Sequence, residues 1–178
     1  MEFRTLTANE LGKIRDIDRT EAIRVGYRQK GAELIEMSVR WDDAGWFEGD
    51  GEHSFGQMIR GAEELLNLSG TAIGAFDGDR LVGIAIYRPR LTEAMGQLGL
   101  LHVSDGRRRQ GIASRLYEEV LRLARGDGAT ALYVSARPTQ PAVGFYLRQG
   151  FTPTAEPHPE LLAEEPEDIH MILSLYKG

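Results

Sequence analysis

The chain has 178 residues, of which 42% are hydrophobic and 27% charged, as in a soluble globular domain and unlike a disordered or fibrous protein. It contains no cysteine, which excludes disulfides, thiolate nucleophiles and cysteine-bound zinc, and we expect no metal. The formal net charge of -6 argues against a nucleic-acid partner. No apolar run approaches the roughly 20 residues that span a bilayer, and the charged start lacks a signal-peptide core, so we expect a cytoplasmic protein.

The first third of the chain predicts a strand, a helix, a hairpin and a loop. Residues 2–6 alternate as a short strand does, and residues 7–10 offer a helix N-cap with a nearby carboxylate. Alternating stretches at 25–27 and 34–39 flank a Lys-Gly pair and predict a β-hairpin. Residues 41–53 are rich in Asp and Gly and predict a loop.

The middle of the chain predicts one helix followed by three strands. From Ser54, a potential N-cap, apolar residues recur at three- and four-residue spacing as far as residue 70, which predicts an amphipathic helix. Strands at 71–76 and 81–87 are joined by an Asp-Gly pair, a strong hairpin signal. Residues 97–103 are nearly all apolar, which favours a strand covered on both faces.

The last third predicts alternating helices and strands. An amphipathic helix at 112–125 precedes a strand at 131–135, a short helix within 138–150 and a final strand at 169–175. An acidic loop at 156–168 lies between this short helix and the final strand. The order is mixed α/β, and no linker or repeat divides the chain, so we expect a single domain over residues 1–178.

The turn from 104 to 113 leaves a buried strand and enters a helix, which is a favourable place to bind an anion. The first amides of a helix have no internal partners and lie at the positive end of its dipole. Gly111 and Ala113 carry no bulky side chain, and Arg107, Arg108 and Arg109 add positive charge. The spacing fits neither the dinucleotide fingerprint nor the P-loop, which excludes those nucleotide-binding readings.

Residues 108–113, Arg-Arg-Gln-Gly-Ile-Ala, match the Gln/Arg-x-x-Gly-x-Gly/Ala signature of the GNAT superfamily of N-acetyltransferases. As in that family, the signature follows a buried strand ending in Val and opens an amphipathic helix. Further along, Ala142, Tyr146 and Gly150-Phe151 match the family's second motif in the same order. The chain therefore resembles this family over residues 71–175.

The resemblance implies a fold and a co-substrate. The fold is a central mixed, mostly antiparallel sheet that splays in the middle, with helices on both faces. The co-substrate is acetyl-CoA, whose pantetheine arm is hydrogen-bonded by the main chain of residues 101–103, with one of these groups facing the thioester carbonyl. The residues that the resemblance assigns to acetyl-CoA are Leu101, His102, Val103, Arg108, Arg109, Gln110, Gly111, Ile112, Ala113, Ser114 and Thr139.

The chain departs from the family pattern at four of these or neighbouring positions. Where the family usually has Pro, an aromatic residue and Gly, this chain has Asp105, Arg107 and Arg109. These three lie in a turn whose backbone does the binding. Thr139 stands where the family has Asn, and its hydroxyl can still donate a hydrogen bond, although with less reach than an amide.

Acetyl transfer from a thioester to an amine needs a neutral nucleophile, a stabilised oxyanion and a proton for the departing thiolate. The family motif places a tyrosine beside the sulfur, so the resemblance implies that Tyr146 is the general acid. Without the motif, Tyr146 reads as a core aromatic beside its neighbour Phe145. For the general base His102, Glu21 and Glu36 stay open alternatives.

The sequence predicts an acyl-CoA-dependent N-acetyltransferase that works by direct transfer in a ternary complex, because neither a cysteine nor a Ser-His-Asp arrangement favours an acyl-enzyme. The amine acceptor stays open, and the acidic balance favours a cationic one. Tyr27, Trp41 and Trp46 either line an acceptor pocket or serve packing. The alternative is a non-catalytic acyl-CoA-binding module that engages a protein partner. In either case we expect a monomer or a homodimer.

Overall fold

The computed structural model of the protein describes residues 1–176, and their contacts divide them into two compact units. The first unit consists of residues 1–21 and 43–129, and the second of residues 22–42 and 130–176. The strands are β1 (Glu2–Leu6), β2 (Glu21–Lys30), β3 (Glu33–Asp43), β4 (Thr71–Asp77), β5 (Arg80–Arg88), β6 (Met95–Val103), β7 (Ala131–Ala136), β8 (Thr152–Pro153) and β9 (Ile169–Ser174). The helices are α1 (Phe55–Asn67), α2 (Ile112–Gly126), α3 (Gln140–Arg148) and α4 (Pro159–Glu164), with 3₁₀ helices at Ala8–Asp16 and Asp105–Arg107.

The sheet of the first unit has the strand order β1-β4-β5-β6, and each of these neighbouring pairs is antiparallel. The predicted hairpin between β4 and β5 is confirmed, and Gly78 in its turn has φ +61, a conformation that glycine adopts without steric cost. The register between β5 and β6 slips between Ile86 and Tyr87. As a result Gly99 of β6 has no Cα partner on β5.

Helices cover both faces of this sheet. On one face α1 and the first 3₁₀ helix bury a core cluster to which Ile84 and Ile86 of β5 contribute. Gly83 alternates with these residues and points to the other face, where a Cβ on it would lie 3.0 Å from Ile112 and 3.2 Å from Leu116 of α2. Glycine at this position therefore lets α2 approach the sheet. Burying each such aliphatic side chain contributes about 1.5–3 kcal/mol, so this two-sided core stabilises the unit.

The second unit contains the sheet β7-β9-β8, which is antiparallel, and the predicted two-stranded hairpin β2-β3. Gln29 of β2 joins the two through its side-chain amide. Its Nε2 donates to the carbonyl of Thr154 at 2.8 Å, and its Oε1 accepts from the amide of His170 at 2.8 Å. The amide of Tyr27 also donates to the carbonyl of Pro138 at 3.0 Å. These bonds fix the hairpin against the sheet of its own unit.

Two predicted loops contain regular structure. Residues 41–43, assigned to a loop, extend β3, because the ring of Trp41 packs on Gly26, at 2.9 Å from where a Cβ would stand. Residues 156–168, also assigned to a loop, contain α4, which begins at Pro159 and buries Leu161 to 4% exposure. Proline is favoured in the first turn of a helix, and Leu161 is the residue that this helix buries.

The expectation that strand 97–103 is covered on both faces is wrong for its second half. Residues 96–98 of β6 are buried, whereas residues 99–103 are only half-buried. Apolar composition shows that burial would be favourable, but the neighbouring elements decide how far along the strand it extends. The half-buried end leads into the turn at residues 104–113, the signature turn.

Candidate functional site

The signature turn presents the N-terminus of α2 at the surface. Gly111, its N-cap, has φ +79, and a Cβ there would meet nothing within 4 Å, so backbone conformation rather than crowding requires glycine. The first backbone bond of the helix runs from Arg115 N to Gly111 O at 3.0 Å. The amides of residues 112–114 precede this bond and have no intrahelical acceptor. Together with the helix dipole they fit the diphosphate of coenzyme A.

The three consecutive arginines of the turn differ in their partners. Arg107 forms an ion pair with Asp77. Arg108 pairs with Glu21 at 2.9 Å and with Asp105 at 3.3 Å. Arg109 is exposed and makes no ion pair with any of residues 1–176. The expectation that all three add their charge to the turn therefore needs correction, since two of the charges are already partly neutralised.

Arg109 also has an unusual backbone conformation. Its φ is +59, in the left-handed region that costs a residue with a side chain roughly 1–2 kcal/mol. The resembled family usually has glycine at this position, which adopts such a φ freely. Position 109 thus has the backbone conformation that glycine favours, but it carries an exposed arginine side chain.

The start of the turn is anchored to a distant segment of the first unit. Ser104 is 4% exposed, and its Oγ accepts a hydrogen bond from the amide of Asp18 at 2.8 Å. The amide of Asp105 donates to the carbonyl of Asp18 at 2.7 Å. Hydrogen bonds from Thr20 to the Asp18 carboxylate lower the pKa of that carboxyl. Sequence reasoning missed this anchor, because nothing in the local pattern links residues this far apart.

The end of β6 places His102 beside a buried indole. Leu101, His102 and Val103 pair with Ala85, Ile84 and Gly83 of β5. The rings of His102 and Trp46 meet edge to face, with centroids 4.9 Å apart. Trp46 is 8% exposed and belongs to the core cluster. Of the two roles considered for Trp46, these contacts favour packing.

Thr139 and Tyr146 both belong to α3, in the second unit. Thr139 is its N-cap and is 2% exposed, and its Oγ1 accepts from the amide of Ala142 at 3.4 Å. Tyr146 is 7% exposed, and its ring meets those of Phe145 and Phe151 edge to face, each with centroids 5.4 Å apart. The ring of Tyr146 is therefore held by aromatic packing, whatever its hydroxyl does in a reaction.

The sequence matches the family model described as the acetyltransferase (GNAT) family over residues 34–151. The chain belongs to this family, whose members are acetyl-CoA-dependent transferases. Comparison with curated protein sequences gave no significant match. The mixed α/β architecture with a largely antiparallel sheet flanked by helices agrees with the fold that the resemblance implied.

Solved structures of acetyltransferases share this fold. A nourseothricin acetyltransferase is similar with a TM-score of 0.72 and 18% identity, over 98% of each chain. The PaiA N-acetyltransferase from Thermoplasma acidophilum, in complex with coenzyme A, has a TM-score of 0.61 and 16% identity over 97% of this chain and 98% of its own. An aminoglycoside 6'-N-acetyltransferase complexed with coenzyme A has a TM-score of 0.55 and 19% identity, over 72% of this chain and 83% of its own.

Among residues 1–176, no helix combines the length and apolar character needed to span a membrane.

Proposed function

We propose that the protein is an N-acetyltransferase that moves an acetyl group from acetyl-CoA to a primary amine by direct transfer in a ternary complex. The observation that carries this proposal is the open N-terminus of α2 behind Gly111, in a chain of the GNAT family. Two relatives of the same fold were solved with coenzyme A bound. The absence of cysteine supports direct transfer rather than a thioacyl-enzyme.

The donor side of the site is assigned to the first unit. The amides of residues 112–114 and the side chains of Gln110 and Ser114 would hold the diphosphate, and the exposed guanidinium of Arg109 would add a charge that has no ion-pair partner among residues 1–176. The main chain of residues 101–103 would bind the pantetheine arm. The half-buried state of these residues supports this assignment.

The acid is assigned to Tyr146 on α3. In the proposed step the neutral amine nitrogen bonds to the thioester carbonyl carbon, the carbon–sulfur bond breaks, and the phenolic proton of Tyr146 goes to the departing sulfur. The nitrogen loses its extra proton to water or to a base before the tetrahedral intermediate collapses to the amide, and the Tyr146 phenolate then takes up a proton from water. Packing between Phe145 and Phe151 supports this role, because an acid must be held in a fixed orientation. Thr139, the N-cap of the same helix, is proposed to donate a hydrogen bond from its hydroxyl to the cofactor.

The acceptor is proposed to be a cationic amine of the kind found in antibiotics. The net charge of -6 favours approach of a cation. A nourseothricin acetyltransferase matches the chain over nearly its whole length, and an aminoglycoside 6'-N-acetyltransferase shares the fold. We also propose a cytoplasmic location, where such an enzyme would meet its acetyl-CoA.

Thiol release from acetyl-CoA tests this function directly. The purified protein is mixed with acetyl-CoA and, separately, with nourseothricin, an aminoglycoside, spermidine and a free amino acid, and coenzyme A is detected with a thiol reagent. Because the chain has no cysteine, the protein adds no background to this assay. We expect amine-dependent release with at least one cationic acceptor and an acetylated product by mass spectrometry. Acetyl-CoA binding with no release for any amine would overturn catalysis in favour of a binding module.

A further inference from the structure

A cavity lies at the end of β6 opposite the signature turn. Its volume is about 430 Å³, within the range of ligand pockets in proteins. It is lined by Tyr87, Arg90, Glu93, Ala94, Met95, Asp127 and Ala129. Met95 begins β6 and Val103 ends it, and at about 3.3 Å per residue the strand separates the two ends by roughly 26 Å. The cavity is therefore distinct from the proposed diphosphate site.

A buried hydroxyl lines this cavity without a hydrogen-bond partner. Tyr87 is 1% exposed, and its hydroxyl makes no hydrogen bond within the described part of the chain. Its ring packs on Gly96, where a Cβ would stand 2.7 Å from the hydroxyl oxygen, so the ring is confined by the neighbouring strand. A buried polar group left without a partner is costly and uncommon in native proteins. The carboxylate of Asp127, which also lines the cavity, lies close enough to the hydroxyl to act on it, so the two groups face the same space.

The charges around the hydroxyl favour a positive partner. Glu93 and Asp127 are exposed carboxylates, and neither forms an ion pair with another residue between 1 and 176. Asp127 is also the C-cap of α2, where the partial negative charge of the helix end adds to its own. Arg90 contributes one opposing charge, so the lining carries a net negative charge. Burial, and then the charge of Asp127 and the close approach of its carboxylate to the hydroxyl, raise the pKa of Tyr87 to about 12, so its hydroxyl stays neutral and can accept a hydrogen bond.

The backbone at the cavity is strained. Arg90 has φ +52, in the left-handed region that residues with side chains rarely adopt. Such residues persist where the surrounding structure holds them, and they cluster at ligand sites. The strain, the unpartnered hydroxyl and the unpaired carboxylates all occur at one cavity.

We propose that this cavity binds a small organic molecule carrying a protonated primary amine. The ammonium group donates a hydrogen bond to the Tyr87 hydroxyl and pairs with the carboxylates of Asp127 and Glu93. The alkyl part occupies the remaining volume against Ala94 and Met95. This site is separate from the acetyl-transfer site, and the inference holds whether or not the protein catalyses transfer.

The test uses n-butylammonium as the probe and n-butanol as its neutral counterpart, on the full chain without acetyl-CoA. Backbone amide signals of Gly96 and Ala129, which flank the cavity, are followed by heteronuclear NMR during titration. We expect saturable shifts of both signals with n-butylammonium and none with n-butanol. Absence of shifts with the amine, or equal shifts with both probes, would overturn the proposal.

Two variants then locate the binding groups. Tyr87→Phe and Asp127→Asn should each weaken n-butylammonium binding by about tenfold or more, as expected for loss of a charge-assisted hydrogen bond. Glu118→Gln, which changes an exposed carboxylate on the same helix, is the control and should bind the amine as the natural chain does. Acetyl-CoA affinity should stay the same in all three, which separates this site from the donor site. Unchanged amine binding in both Tyr87→Phe and Asp127→Asn would refute the assignment.

Discussion

The guanidinium of Arg108 and the carboxylate of Glu21 form an ion pair at 2.9 Å, although 87 positions separate them in the chain. Their side chains are 27% and 17% exposed, so the pair is partly shielded from water. Arg108 is the first residue of the signature, and Glu21 begins β2. The pair therefore neutralises a positive charge beside the amides proposed to hold the diphosphate.

Substituting Glu21 should change the affinity for acetyl-CoA. In Glu21→Gln, Arg108 loses the nearer of its two opposing charges and keeps Asp105, so we expect acetyl-CoA to bind about two- to fivefold more tightly, in line with the modest energy of a partly exposed pair. Calorimetric titration at low and at high salt measures this effect, which should shrink as salt rises. Glu118→Gln serves as the control. An unchanged affinity together with a collapse of turnover would instead identify Glu21 as the general base.

Removing the hydroxyl of Tyr146 should slow the transfer step and spare binding. For Tyr146→Phe we expect kcat to fall by about 10²–10⁴, the usual contribution of one proton-transfer group, with acetyl-CoA affinity unchanged. Phenylalanine keeps the edge-to-face packing with Phe145 and Phe151, so the fold is preserved. Tyr176→Phe, at a position 75% exposed, is the matched control. Equal turnover in the natural chain and in Tyr146→Phe would exclude the acid role.

His170 lies in a buried hydrogen-bond network in the second unit. Its Nε2 lies 3.1 Å from the carbonyl of Glu165, which only accepts, so the proton is on Nε2. Its Nδ1 then accepts from the hydroxyl of Tyr133 at 2.7 Å, and that hydroxyl accepts from the amide of His158 at 3.0 Å. Burial lowers the pKa of His170, partly opposed by the bond to Glu165.

This network predicts how stability depends on pH. A lowered pKa in the folded state means that the unfolded chain binds a proton that the native one does not, so stability is full above about pH 6.5 and falls as pH decreases below it. The slope from one such group cannot exceed about 1.4 kcal/mol per pH unit. Urea unfolding between pH 7.5 and about pH 5.5 measures it. The variant His170→Gln should have a lower free energy of unfolding, and this free energy should depend less on pH in this window. The variant His53→Gln, at an exposed position, should keep the pH dependence of the natural chain. A natural chain with pH-independent stability here would contradict the assignment.

Much of the first unit could be predicted because its signals are local. The spacing of apolar residues in α1 and α2, the cap at Ser54 and the Asp77-Gly78 turn each determine a neighbouring stretch of backbone, and the structure has those elements within a few residues of the predicted bounds. The segment 8–16 follows its predicted cap but takes 3₁₀ form. The helix at 159–164 was not predicted, because six residues are too few to show the periodicity of a helix.

The partners of the candidate site could not be predicted, because they come from distant parts of the chain. The ion pair of Arg108 with Glu21 and the bond of Ser104 to Asp18 join segments with no shared local pattern. The left-handed backbone conformation of Arg109 was not predicted, for another reason. An arginine gives no sign of positive φ, and only comparison with a family that has glycine at that position suggests it.

Calorimetric titration of acetyl-CoA into the natural chain and two glycine variants tests the central claim most directly. Gly111→Val forces a β-branched residue into the left-handed region at the N-cap of α2, whereas Gly106→Ala changes the same turn at a position that has equal space and no positive φ. We predict one saturable site in the natural chain, retained in Gly106→Ala and weakened at least about tenfold in Gly111→Val. No binding by the natural chain, or equal binding by Gly111→Val, would contradict the assignment of this turn to acetyl-CoA.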